Sequence, residues 1–448
     1  MKKVITYGSF DLFHEGHYRL LQRAKELGDY LIVGVTTEHY DHSRGKMNVV
    51  DSLMERIEHV KQSGFADEVI IEDHVGQKIE DIQKYDIDIF TVGSDWTGVF
   101  DYLREYCEVV YLERTKDISS TMLRAKKYSI IRMGIIGTGR IAKRFVPEAK
   151  YVSGVNVECV YNPRIESAKT FAEMFELNKY YDSLESFWQD VDGVYIASPH
   201  ETHYRYIKEA LLQGKHVLCE KPMTLKAAEA RELFDLSREK GLVLLEGIKT
   251  AYCPGFMQLI NTVKSGAIGL IRDVEATFTK LEKSQSRELN DTEYGGSFTE
   301  LASYTLLPIV KFLGTDYKEV RFESLTDDKG IDIYTKAYFS YGRGMAMSKT
   351  GLGVKSEGQL IISGTKGYAI VEAPWWKTDY FEIRYENPEA NERFFTKFLG
   401  EGLRYELSDF VLAVNGIENK KSKLDQEESI AIAELMEKFL EERKINFN

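Results

Sequence analysis

The 448-residue sequence lacks the features that mark membrane, secreted and disulfide-rich proteins. No run of 18 apolar residues occurs, so we expect no transmembrane helix. The N-terminus has only a short apolar run before Asp11, which does not fit a secretory signal. The 4 cysteines are far apart and form no C-x-x-C pair, so neither a disulfide framework nor a thiolate zinc site is expected. We expect a soluble, cytoplasmic protein with reduced thiols.

Proline is scarce, and positive charge is not in excess. The chain has 8 Pro against 34 Gly, with 43% hydrophobic and 29% charged residues, which is typical of ordered globular protein. The chain has 59 Lys and Arg and 71 Asp and Glu, which gives a net charge of -12. Nucleic-acid binding relies on a basic excess, so we expect no such partner. The length predicts about three domains at roughly 150 residues each.

The order of apolar runs predicts an α/β chain with two successive series of alternating strands and helices. Up to about residue 112, short β-branched runs alternate with segments of helical period, and a second such series runs from about residue 130 to 246. This alternation is typical of βαβ units with a parallel sheet. Beyond residue 250, two-residue alternation predicts a large, mostly antiparallel sheet in an α+β domain. The predicted domains are residues 1–127, 128–246 and 247–448.

A glycine- and histidine-bearing loop, Gly8-Ser9-Phe10-Asp11-Leu12-Phe13-His14-Glu15-Gly16-His17, follows the first predicted strand. The amphipathic segment after it predicts a helix, whose free N–H groups and dipole favour an anion. Gly8 and Gly16 allow close backbone approach, and His14 and His17 can face one bound group. The loop is therefore suited to a triphosphate.

With this H-x-G-H loop, residues 1–127 resemble the glycerol-3-phosphate cytidylyltransferases of the nucleotidylyltransferase superfamily. The resemblance also covers Val92-Gly93-Ser94-Asp95-Trp96 and the run from Glu108 to Thr121. It implies a Rossmann-like domain in which an alcohol-phosphate oxygen attacks the α-phosphate of CTP and pyrophosphate leaves. Such a step depends on positioning and charge stabilisation, with Mg²⁺ expected beside the phosphates.

The family motif assigns roles to matching residues. His14 and His17 would donate to the α- and β-phosphates, while Lys46 and Arg114 would clamp the triphosphate and the acceptor phosphate. Arg44 and Arg56 correspond to positions that reach the acceptor phosphate. Asp11 is the candidate helper for magnesium. The implied nucleotide-binding residues are Tyr7, Gly8, Ser9, Phe10, Asp11, Gly16, Asp95, Trp96, Ser119, Ser120 and Thr121.

A second nucleotide motif, Gly137-Thr138-Gly139-Arg140-Ile141-Ala142, lies between a predicted strand and a predicted helix. That context is typical of a pyrophosphate cradle in a dinucleotide-binding fold. The usual ribose-binding acid about 20 residues on is replaced by Asn162, with Arg164 nearby. These residues favour NADP(H) over NAD(H), although Arg164 is equally explained as a solvated charge and Arg140 as the phosphate ligand.

Two further polar segments end predicted strands, where parallel sheets bind ligands. They are Ser198-Pro199-His200-Glu201-Thr202-His203 and Glu220-Lys221-Pro222. The order of the motif segments makes residues 131–448 resemble the glucose–fructose oxidoreductase/inositol dehydrogenase family, of which Glu-Lys-Pro is the hallmark. The resemblance implies that Lys221 contacts cofactor and substrate oxygen, and that Pro222 turns the chain with a cis bond. The implied cofactor-binding residues are Gly137, Thr138, Gly139, Arg140, Ile141, Ala142, Asn162, Arg164, Ser198, Pro199, His203, Glu220, Lys221 and Pro222.

The family's substrate motif corresponds to the segment from Gly295 to Tyr304, with two departures. Glu300 replaces the usual Asp, and Ala302 replaces the usual Gly. Glu300 either relays a proton or indicates another substrate or lost activity. Tyr304 is either a general acid, assisted by Lys221, or a packing residue. Members of the family usually pair through their C-terminal sheets, so a homo-oligomer, a dimer or tetramer, is expected.

The two halves together favour a bifunctional enzyme. The hypothesis is NAD(P)H-dependent reduction of a phosphorylated ketose to a polyol phosphate, followed by cytidylyl transfer from CTP. The product would be a CDP-polyol such as CDP-glycerol or CDP-ribitol, for teichoic-acid-like or capsular polymers. Two alternatives stay open: a single-activity cytidylyltransferase with a dinucleotide-binding regulatory or dimerisation module, and an oxidoreductase that acts on another sugar or on the CDP-linked product.

Overall fold

The computed structural model describes residues 1–37, 40–41, 49, 51–74, 76–113, 130–416 and 423–447. The chain divides into two compact units, Met1–Ile130 and Ile131–Asn448. Among the described residues, no helix is both long enough and apolar enough to cross a bilayer.

The first unit contains a five-stranded parallel sheet in the order β3-β2-β1-β4-β5. Its strands carry apolar residues that are buried on both faces, as parallel sheets require. The order reverses between β1 and β4, so the loop after β1 lies at the carboxyl edge where such sheets bind ligands. The strands are β1 (Lys3–Gly8), β2 (Tyr30–Thr36), β3 (Glu68–Glu72), β4 (Ile89–Gly93) and β5 (Glu108–Leu112). The helices are α1 (Glu15–Glu26), α2 (Leu53–Gln62) and α3 (Gln77–Tyr85).

Local sequence explains where two of these helices begin. His14 is the N-cap of α1, and its Nδ1 accepts a hydrogen bond from Gly16 N at 3.0 Å. A capping box starts α2: Ser52 accepts from Glu55 N, and the Glu55 carboxylate accepts from Ser52 N. Both arrangements satisfy N–H groups that the first turn of a helix leaves without partners.

The second unit begins with a six-stranded parallel sheet in the order β11-β10-β9-β6-β7-β8. Its order reverses between β6 and β9, so both strands direct their carboxyl ends to one crevice. The strands are β6 (Ile131–Ile136), β7 (Val155–Tyr161), β8 (Lys179–Tyr181), β9 (Gly193–Ile196), β10 (His216–Glu220) and β11 (Leu244–Gly247). The helices are α4 (Arg140–Ala149), α5 (Ile165–Phe175), α6 (Leu184–Gln189), α7 (His203–Leu212) and α8 (Ala227–Lys240).

An eight-stranded sheet follows, in the order β13-β14-β15-β12-β16-β17-β18-β19. All its neighbouring strands are antiparallel except β12 and β15, which pair in parallel from Asp273↔Met345 to Thr279↔Gly351. The strands are β12 (Ile271–Thr279), β13 (Glu319–Thr326), β14 (Asp332–Ser340), β15 (Met345–Gly351), β16 (Leu360–Gly364), β17 (Gly367–Val371), β18 (Tyr380–Tyr385) and β19 (Glu392–Phe395). The remaining helices are α9 (Pro254–Lys264), α10 (Ser297–Leu313), α11 (Leu403–Val414) and α12 (Gln426–Phe447).

The α/β prediction is confirmed, including the two parallel sheets and the larger, mostly antiparallel one. Helix α10 packs on β12 and β15, and is buried along almost its whole length. It therefore carries Glu300 and Tyr304 from the eight-stranded sheet towards the parallel one. The division of the second unit at residue 246 stays a prediction.

Candidate active sites

The loop after β1 is held in an unusual backbone conformation. Phe10 and Leu12 have φ angles of 51° and 48°, in the left-handed region that residues other than glycine rarely adopt. Asp11 is buried, and its Oδ1 accepts from Asp51 N at 2.9 Å, while Leu12 N donates to Asp51 Oδ2 at 2.9 Å. The loop is thus pinned to the segment that starts α2. Strain that the surrounding structure enforces is typical of functional loops.

His14 and His17 lie together at the start of α1. Their ring centroids are 3.9 Å apart and their planes differ by 24°, so the rings are stacked. Phe10 and Phe13 pack against the His17 ring, with centroid distances of 5.4 and 5.6 Å. The aromatic contacts fix the ring of His17 at the helix N-terminus, where the backbone favours an anion.

Arg56 lies beneath the loop. Its guanidinium has 0% exposed surface, and its Nη1 donates to Ser9 O at 2.9 Å and Thr36 O at 2.7 Å. The same nitrogen is 3.3 Å from Asp41 Oδ2, and Nε donates to Asp51 O at 2.9 Å. Arg56 therefore supports the backbone of the nucleotide loop. Its predicted contact with the acceptor phosphate stays a prediction.

A small cavity of about 50 Å³ lies beside this loop. It is lined by Tyr7, Gly8, Lys78, Phe90, Val92, Trp96 and Phe100. Tyr7 OH donates to Asp81 Oδ2 at 2.9 Å, and burial raises the pKa of Tyr7, so its hydroxyl stays protonated. The Lys78 ammonium, paired with Glu72, lies 4.5 Å from the centroid of the Tyr7 ring. Lys78 gives no signal in the sequence, because a single lysine in a helical pattern belongs to no motif.

Several predicted residues of the first site cannot be placed. Lys46, Arg114, Arg44, Ser119, Ser120 and Thr121 lie outside the described residues. Asp95 belongs to the one-turn helix Ser94–Trp96, but its side chain also lies outside the described part of the chain. Trp96, in the same turn, is 37% exposed beside the small cavity. The roles predicted for these residues stay predictions.

The glycine loop of the second unit fits a dinucleotide. Gly137 has a φ angle of 102°, and a Cβ there would come within 2.7 Å of Ala197 O, so no other residue fits without displacing the backbone. Gly139 is the N-cap of α4, and no side chain caps that helix, which leaves its N–H groups for a pyrophosphate. Ala142 is completely buried where helix and sheet pack together. Thr138, Arg140 and Ile141 line the cleft above the loop.

Asn162, at the end of the second strand of this sheet, is connected to the loop on both sides. Its Nδ2 donates to Thr138 Oγ1 at 2.9 Å, and its Oδ1 accepts from Arg164 N at 2.9 Å. Arg164 is the exposed N-cap residue of α5. An amide followed by an arginine places no negative charge where a ribose 2′-phosphate would lie.

A cleft of about 1290 Å³ runs from the glycine loop to the eight-stranded sheet. Lys221 lies in it, 8% exposed, and is joined to Pro222 by a cis peptide bond. Its Nζ donates to Glu300 O at 2.9 Å and is 3.6 Å from Glu300 Oε1. The same ammonium is 5.7 Å from the centroid of the Tyr304 ring. The structure thus brings together Lys221, just after β10, and Glu300 and Tyr304 on helix α10.

Tyr304 is surrounded by acidic and aromatic groups. Burial raises the pKa of Tyr304 well above its ordinary value, and Glu220, Glu406 and Glu300 add to the effect. Its hydroxyl therefore stays a proton donor at neutral pH. The Phe278 ring lies 5.3 Å from it and stacks on Trp376 at 3.6 Å, so these two aromatic rings form one wall of the cleft.

The two neighbouring tryptophans differ in environment. Trp375 is completely buried, and its Nε1 donates to Thr277 O at 2.8 Å, so it belongs to the core of the sheet. Trp376 and Lys377 line the cleft. Lys249 also lines it; its Nζ donates to Glu401 O at 2.8 Å, and burial lowers its pKa.

The segments ending β9 and β10 are joined by His203. Its Nδ1 and Nε2 lie 2.9 Å from Pro222 O and 2.8 Å from Ser198 O. Burial lowers the pKa of His203 to about 4, against the effect of the two carbonyl groups. A neutral imidazole has one N–H, so His203 donates to one of these two carbonyl oxygens, and its ring lies between the Ser198-Pro199 turn and the Lys221-Pro222 turn. Its predicted cofactor contact stays a prediction.

Residues behind Lys221 set its environment. Glu220 accepts a hydrogen bond from Tyr195 OH at 2.5 Å, and burial raises the pKa of Glu220. Glu246 accepts from Met223 N at 2.9 Å, and burial raises its pKa to about 7. The turn that carries Lys221 is thus backed by two buried carboxyl groups that resist ionisation.

The fold and these two sites define an enzyme with a nucleotidyl-transfer site in one unit and a dinucleotide-dependent oxidoreductase site in the other. Among the described residues, no group of three or more His, Cys, Asp and Glu could hold a metal ion. A cytidylyltransferase-like family model matches residues 5–126, and a model of the oxidoreductase family with an NAD-binding Rossmann fold matches residues 131–248. Through its first domain the chain belongs to the cytidylyltransferase-like family, and its second domain matches the oxidoreductase family model, so a cytidylyltransferase domain is fused to an oxidoreductase domain.

The first domain is similar to glycerol-3-phosphate cytidylyltransferase of Bacillus spizizenii, with 52% identity over 130 residues, which are 29% of this chain and 100% of that protein. The second is similar to trans-1,2-dihydrobenzene-1,2-diol dehydrogenase of Bos taurus, with 29% identity over 62% of this chain and 86% of that protein. Among solved structures, KijD10, a 3-ketoreductase from Actinomadura kijaniata in complex with NADP and TDP-benzene, matches with a TM-score of 0.59 and 26% identity, over 68% of this chain and 95% of that one.

Proposed function

We propose that the oxidoreductase domain reduces a phosphorylated ketose to a polyol phosphate, and that the cytidylyltransferase domain activates this phosphate with CTP. The product is a CDP-polyol of the CDP-glycerol or CDP-ribitol type, used for teichoic-acid-like or capsular polymers. One observation carries the proposal: a domain matching a whole glycerol-3-phosphate cytidylyltransferase is fused to a domain whose cleft places Lys221 and Tyr304 together. An alcohol phosphate is what the first domain consumes and what a ketose-phosphate reductase makes.

The transfer step depends on charge. An oxygen of the polyol phosphate attacks the α-phosphorus of CTP, a new O–P bond forms, and the bond to the β-phosphate breaks to release pyrophosphate. The stacked His14 and His17 donate to the phosphates at the N-terminus of α1. Lys46 and Arg114 clamp the triphosphate and the acceptor phosphate. A Mg²⁺ ion brought in with CTP would neutralise the leaving pyrophosphate, with Asp11 as its candidate helper.

The reduction step depends on Lys221 and Tyr304. The uncapped N-terminus of α4 holds the pyrophosphate of the dinucleotide, which supplies a hydride when it is bound in the reduced form. Lys221 and the protonated Tyr304 face the carbonyl oxygen and stabilise the charge that grows there. Asn162 and Arg164 favour NADP(H), and the NADP complex of the similar 3-ketoreductase supports this preference.

The experiment is mass spectrometry of one mixture containing the protein, CTP, Mg²⁺, both reduced nicotinamides and a panel of ketose phosphates. Dihydroxyacetone phosphate, ribulose 5-phosphate and xylulose 5-phosphate form the panel. We expect a CDP-alditol that appears only when a reduced nicotinamide is present. Controls supply glycerol 3-phosphate or ribitol 5-phosphate without nicotinamide. If CDP products form from these polyol phosphates but from none of the ketose phosphates, the cytidylyltransferase activity stands and the proposed reductase substrate is wrong.

A second candidate is an oxidoreductase that acts on a nucleotide-linked sugar. The similar 3-ketoreductase binds TDP-benzene beside NADP, and the cleft here, at about 1290 Å³, exceeds the roughly 300–1,000 Å³ of an ordinary small-molecule site. Oxidation or reduction of a preformed CDP-linked polyol in the same assay would favour this reading.

We also propose that the chain forms a homo-oligomer, a dimer or tetramer, in the cytoplasm. Exposed apolar side chains on strands of the eight-stranded sheet support the assembly: Leu325 on β13, Met345 on β15 and Phe395 on β19 are 57%, 63% and 72% exposed. Light scattering of the whole chain measures the mass, and a monomer at micromolar concentration would contradict this expectation.

A further inference from the structure

Three cationic side chains of the large cleft contact one residue, Glu401. Arg144 Nη1 is 3.6 Å from Glu401 Oε2, and Lys377 Nζ is 3.3 Å from the same oxygen. Lys249 Nζ donates to the backbone oxygen of Glu401 at 2.8 Å. All four residues line the cleft. Arg144 comes from α4, Lys249 follows β11 and Lys377 precedes β18, so three separate parts of the second unit form this cationic cluster.

The cationic cluster has an excess of positive charge. Within the described residues, Glu401 is the only acidic side chain that makes an ion pair with it. Two more carboxyl groups, those of Glu220 and Glu406, lie near Lys249, but burial raises the pKa of each, so they resist ionisation. One exposed carboxylate therefore faces three cationic side chains.

Lys249 is almost enclosed, yet its ammonium has donors left for a ligand. It is 7% exposed, and it makes no ion pair in the part of the chain that the structure describes. An ammonium carries three N–H groups, and the contact with Glu401 O uses one of them. Burial lowers the pKa of Lys249, which reflects the cost of enclosing a charge. An anion bound beside it would offset that cost.

The carboxylate of Glu401 can leave the cluster while its backbone stays in place. Its side chain is 39% exposed, so solvent can receive it. Its contacts with Arg144 and Lys377, at 3.6 and 3.3 Å, are longer than the roughly 2.7–2.9 Å of a strong charge-assisted hydrogen bond. Lys249 holds only the backbone oxygen. A stronger anion could therefore replace the carboxylate without moving the chain.

The cluster lies beside the groups proposed to act on the carbonyl. The last residues of β10 and β11 are paired, and adjacent strands are about 4.8 Å apart, so Lys221 and Lys249 leave the sheet side by side. Lys377 directly follows Trp376, which belongs to the aromatic wall next to Tyr304. One small molecule could thus contact the cluster and the reducing groups together.

We propose that Arg144, Lys249 and Lys377 bind the phosphate group of the oxidoreductase substrate, in place of the Glu401 carboxylate. A phosphate ester has up to two negative charges and several terminal oxygens, which suits cations that approach from three directions. The phosphate belongs either to the monoester of a ketose phosphate or to the diphosphate of a nucleotide-linked sugar. The inference rests on the oxidoreductase activity proposed above and names the residues that select its substrate.

The test measures binding to the full chain loaded with NADPH, whose fluorescence responds to ligands in this cleft. The probes are glycerol 3-phosphate, glycerol and CDP-glycerol, which have no carbonyl group to reduce. Lys249→Gln and Lys377→Gln should each weaken binding of glycerol 3-phosphate roughly 10- to 100-fold, the effect of losing a charged hydrogen bond. Glu401→Gln removes the competing charge and keeps the backbone oxygen, so it should strengthen binding by up to roughly five-fold. NADPH affinity should not change, and glycerol should not bind measurably.

Lys355→Gln is the matched control. Lys355 also lines the cleft, and its Nζ donates to a backbone oxygen, Thr279 O, at 2.8 Å. This variant should bind glycerol 3-phosphate as the unchanged chain does. An equal loss in the control, a parallel loss of NADPH affinity in the two cluster variants, or weaker phosphate binding in Glu401→Gln would overturn the proposal.

The probes separate this inference from the proposed function, because binding does not require turnover. If glycerol 3-phosphate binds through Lys249 and Lys377 but no ketose phosphate is reduced, the phosphate site stands and the proposed reaction fails. If only CDP-glycerol depends on the two lysines, the site stands and its phosphate is that of a nucleotide-linked substrate. If neither probe depends on them, the inference is wrong, whichever ketose phosphate is reduced.

Discussion

At the scale of single residues, burial explains the most informative features of both sites. Arg56, His200, Glu246 and Tyr304 would be expected near water from their chemistry, yet each is largely or completely enclosed. Enclosure keeps Tyr304 protonated and the His200 imidazole neutral. The protonation state of the oxidoreductase site is therefore determined by desolvation more than by ion pairs.

Arg56 provides a test that separates support of the loop from binding of the acceptor. Arg56→Lys removes donors to Ser9 O and Thr36 O inside the protein, so we expect about 3 kcal/mol less stability in the first unit and weaker CTP binding. Urea unfolding and CTP titration measure these effects. A raised KM for glycerol 3-phosphate with full stability would instead support the acceptor role.

Glu246 makes the stability of the second unit depend on pH. Its pKa is about 7 in the folded chain against 4.5 ordinarily, so the unfolded chain ionises first as pH rises. The stabilisation is complete below pH 4.5 and is lost as pH rises through 7, by up to about 3 kcal/mol. Glu246→Gln keeps the bond to Met223 N and removes this titration. Urea unfolding of both chains from pH 5 to pH 8 should show the variant gaining relative stability, and parallel curves would contradict the assignment.

The sequence could name only some of the residues that line the sites. The motifs named Lys221, Glu300 and Tyr304, because each lies in a segment with a recognisable order. The fold brings these three to one cleft, and their catalytic roles stay predictions. Arg144 gave no signal, since only the folded chain brings it to Glu401. Lys78 and the buried position of Arg56 gave no signal either, because a charged residue in a helical pattern usually faces solvent.

At the scale of elements, the start of helix α10 determines where Glu300 and Tyr304 lie. Asp332 accepts hydrogen bonds from Phe298 N and Ser297 Oγ, both at 2.8 Å, and so fixes the first turn of the helix. Arg443, on α12, donates to Gly295 O at 2.7 Å and lies 3.3 Å from Asp332 Oδ1. The helix therefore begins at a buried ionic network and not at an exposed cap.

Gly296 should be the most sensitive position of that network. A Cβ there would lie 1.9 Å from Asp332 Oδ1, and the φ angle of 113° already disfavours other residues. We expect Gly296→Ala to lower stability by about 3 kcal/mol and to slow NADPH oxidation, because the helix must move. Gly314→Ala is the matched control at the other end of the helix, with a φ angle of 84° and open space around it. Equal losses in the two variants, measured by urea unfolding, would contradict this account.

Element types were predictable, whereas one pairing was not. Alternation of strands and helices predicted both parallel sheets, and two-residue alternation predicted the third. The parallel pairing of β12 with β15 was not foreseen, because alternation records which side chains face inwards and not the direction of the neighbouring strand. The relative direction of two paired strands depends on the chain connections between them. The local alternation of side chains carries no information about those connections.

At the scale of the whole molecule, each unit should keep its own chemistry when produced separately. The first unit corresponds to a complete relative of 130 residues, so residues 1–130 should transfer cytidylyl groups to glycerol 3-phosphate with CTP. Residues 131–448 should bind NADPH with the affinity of the full chain. Turnover and fluorescence titration measure the two functions. A first fragment that folds, as judged by circular dichroism, but transfers nothing would contradict this expectation.

The fusion also fixes how the proposed pathway can be balanced. Two catalysts made from separate genes can be adjusted by making more of one, whereas a single polypeptide supplies both in a ratio of one to one. The steady level of polyol phosphate in the proposed pathway then depends on the kinetic constants of the two domains and on the supply of ketose phosphate, CTP and reduced nicotinamide, and not on the ratio of the two catalysts. Substitutions at Lys221 or His14 would therefore shift metabolic flux in ways that gene dosage cannot correct.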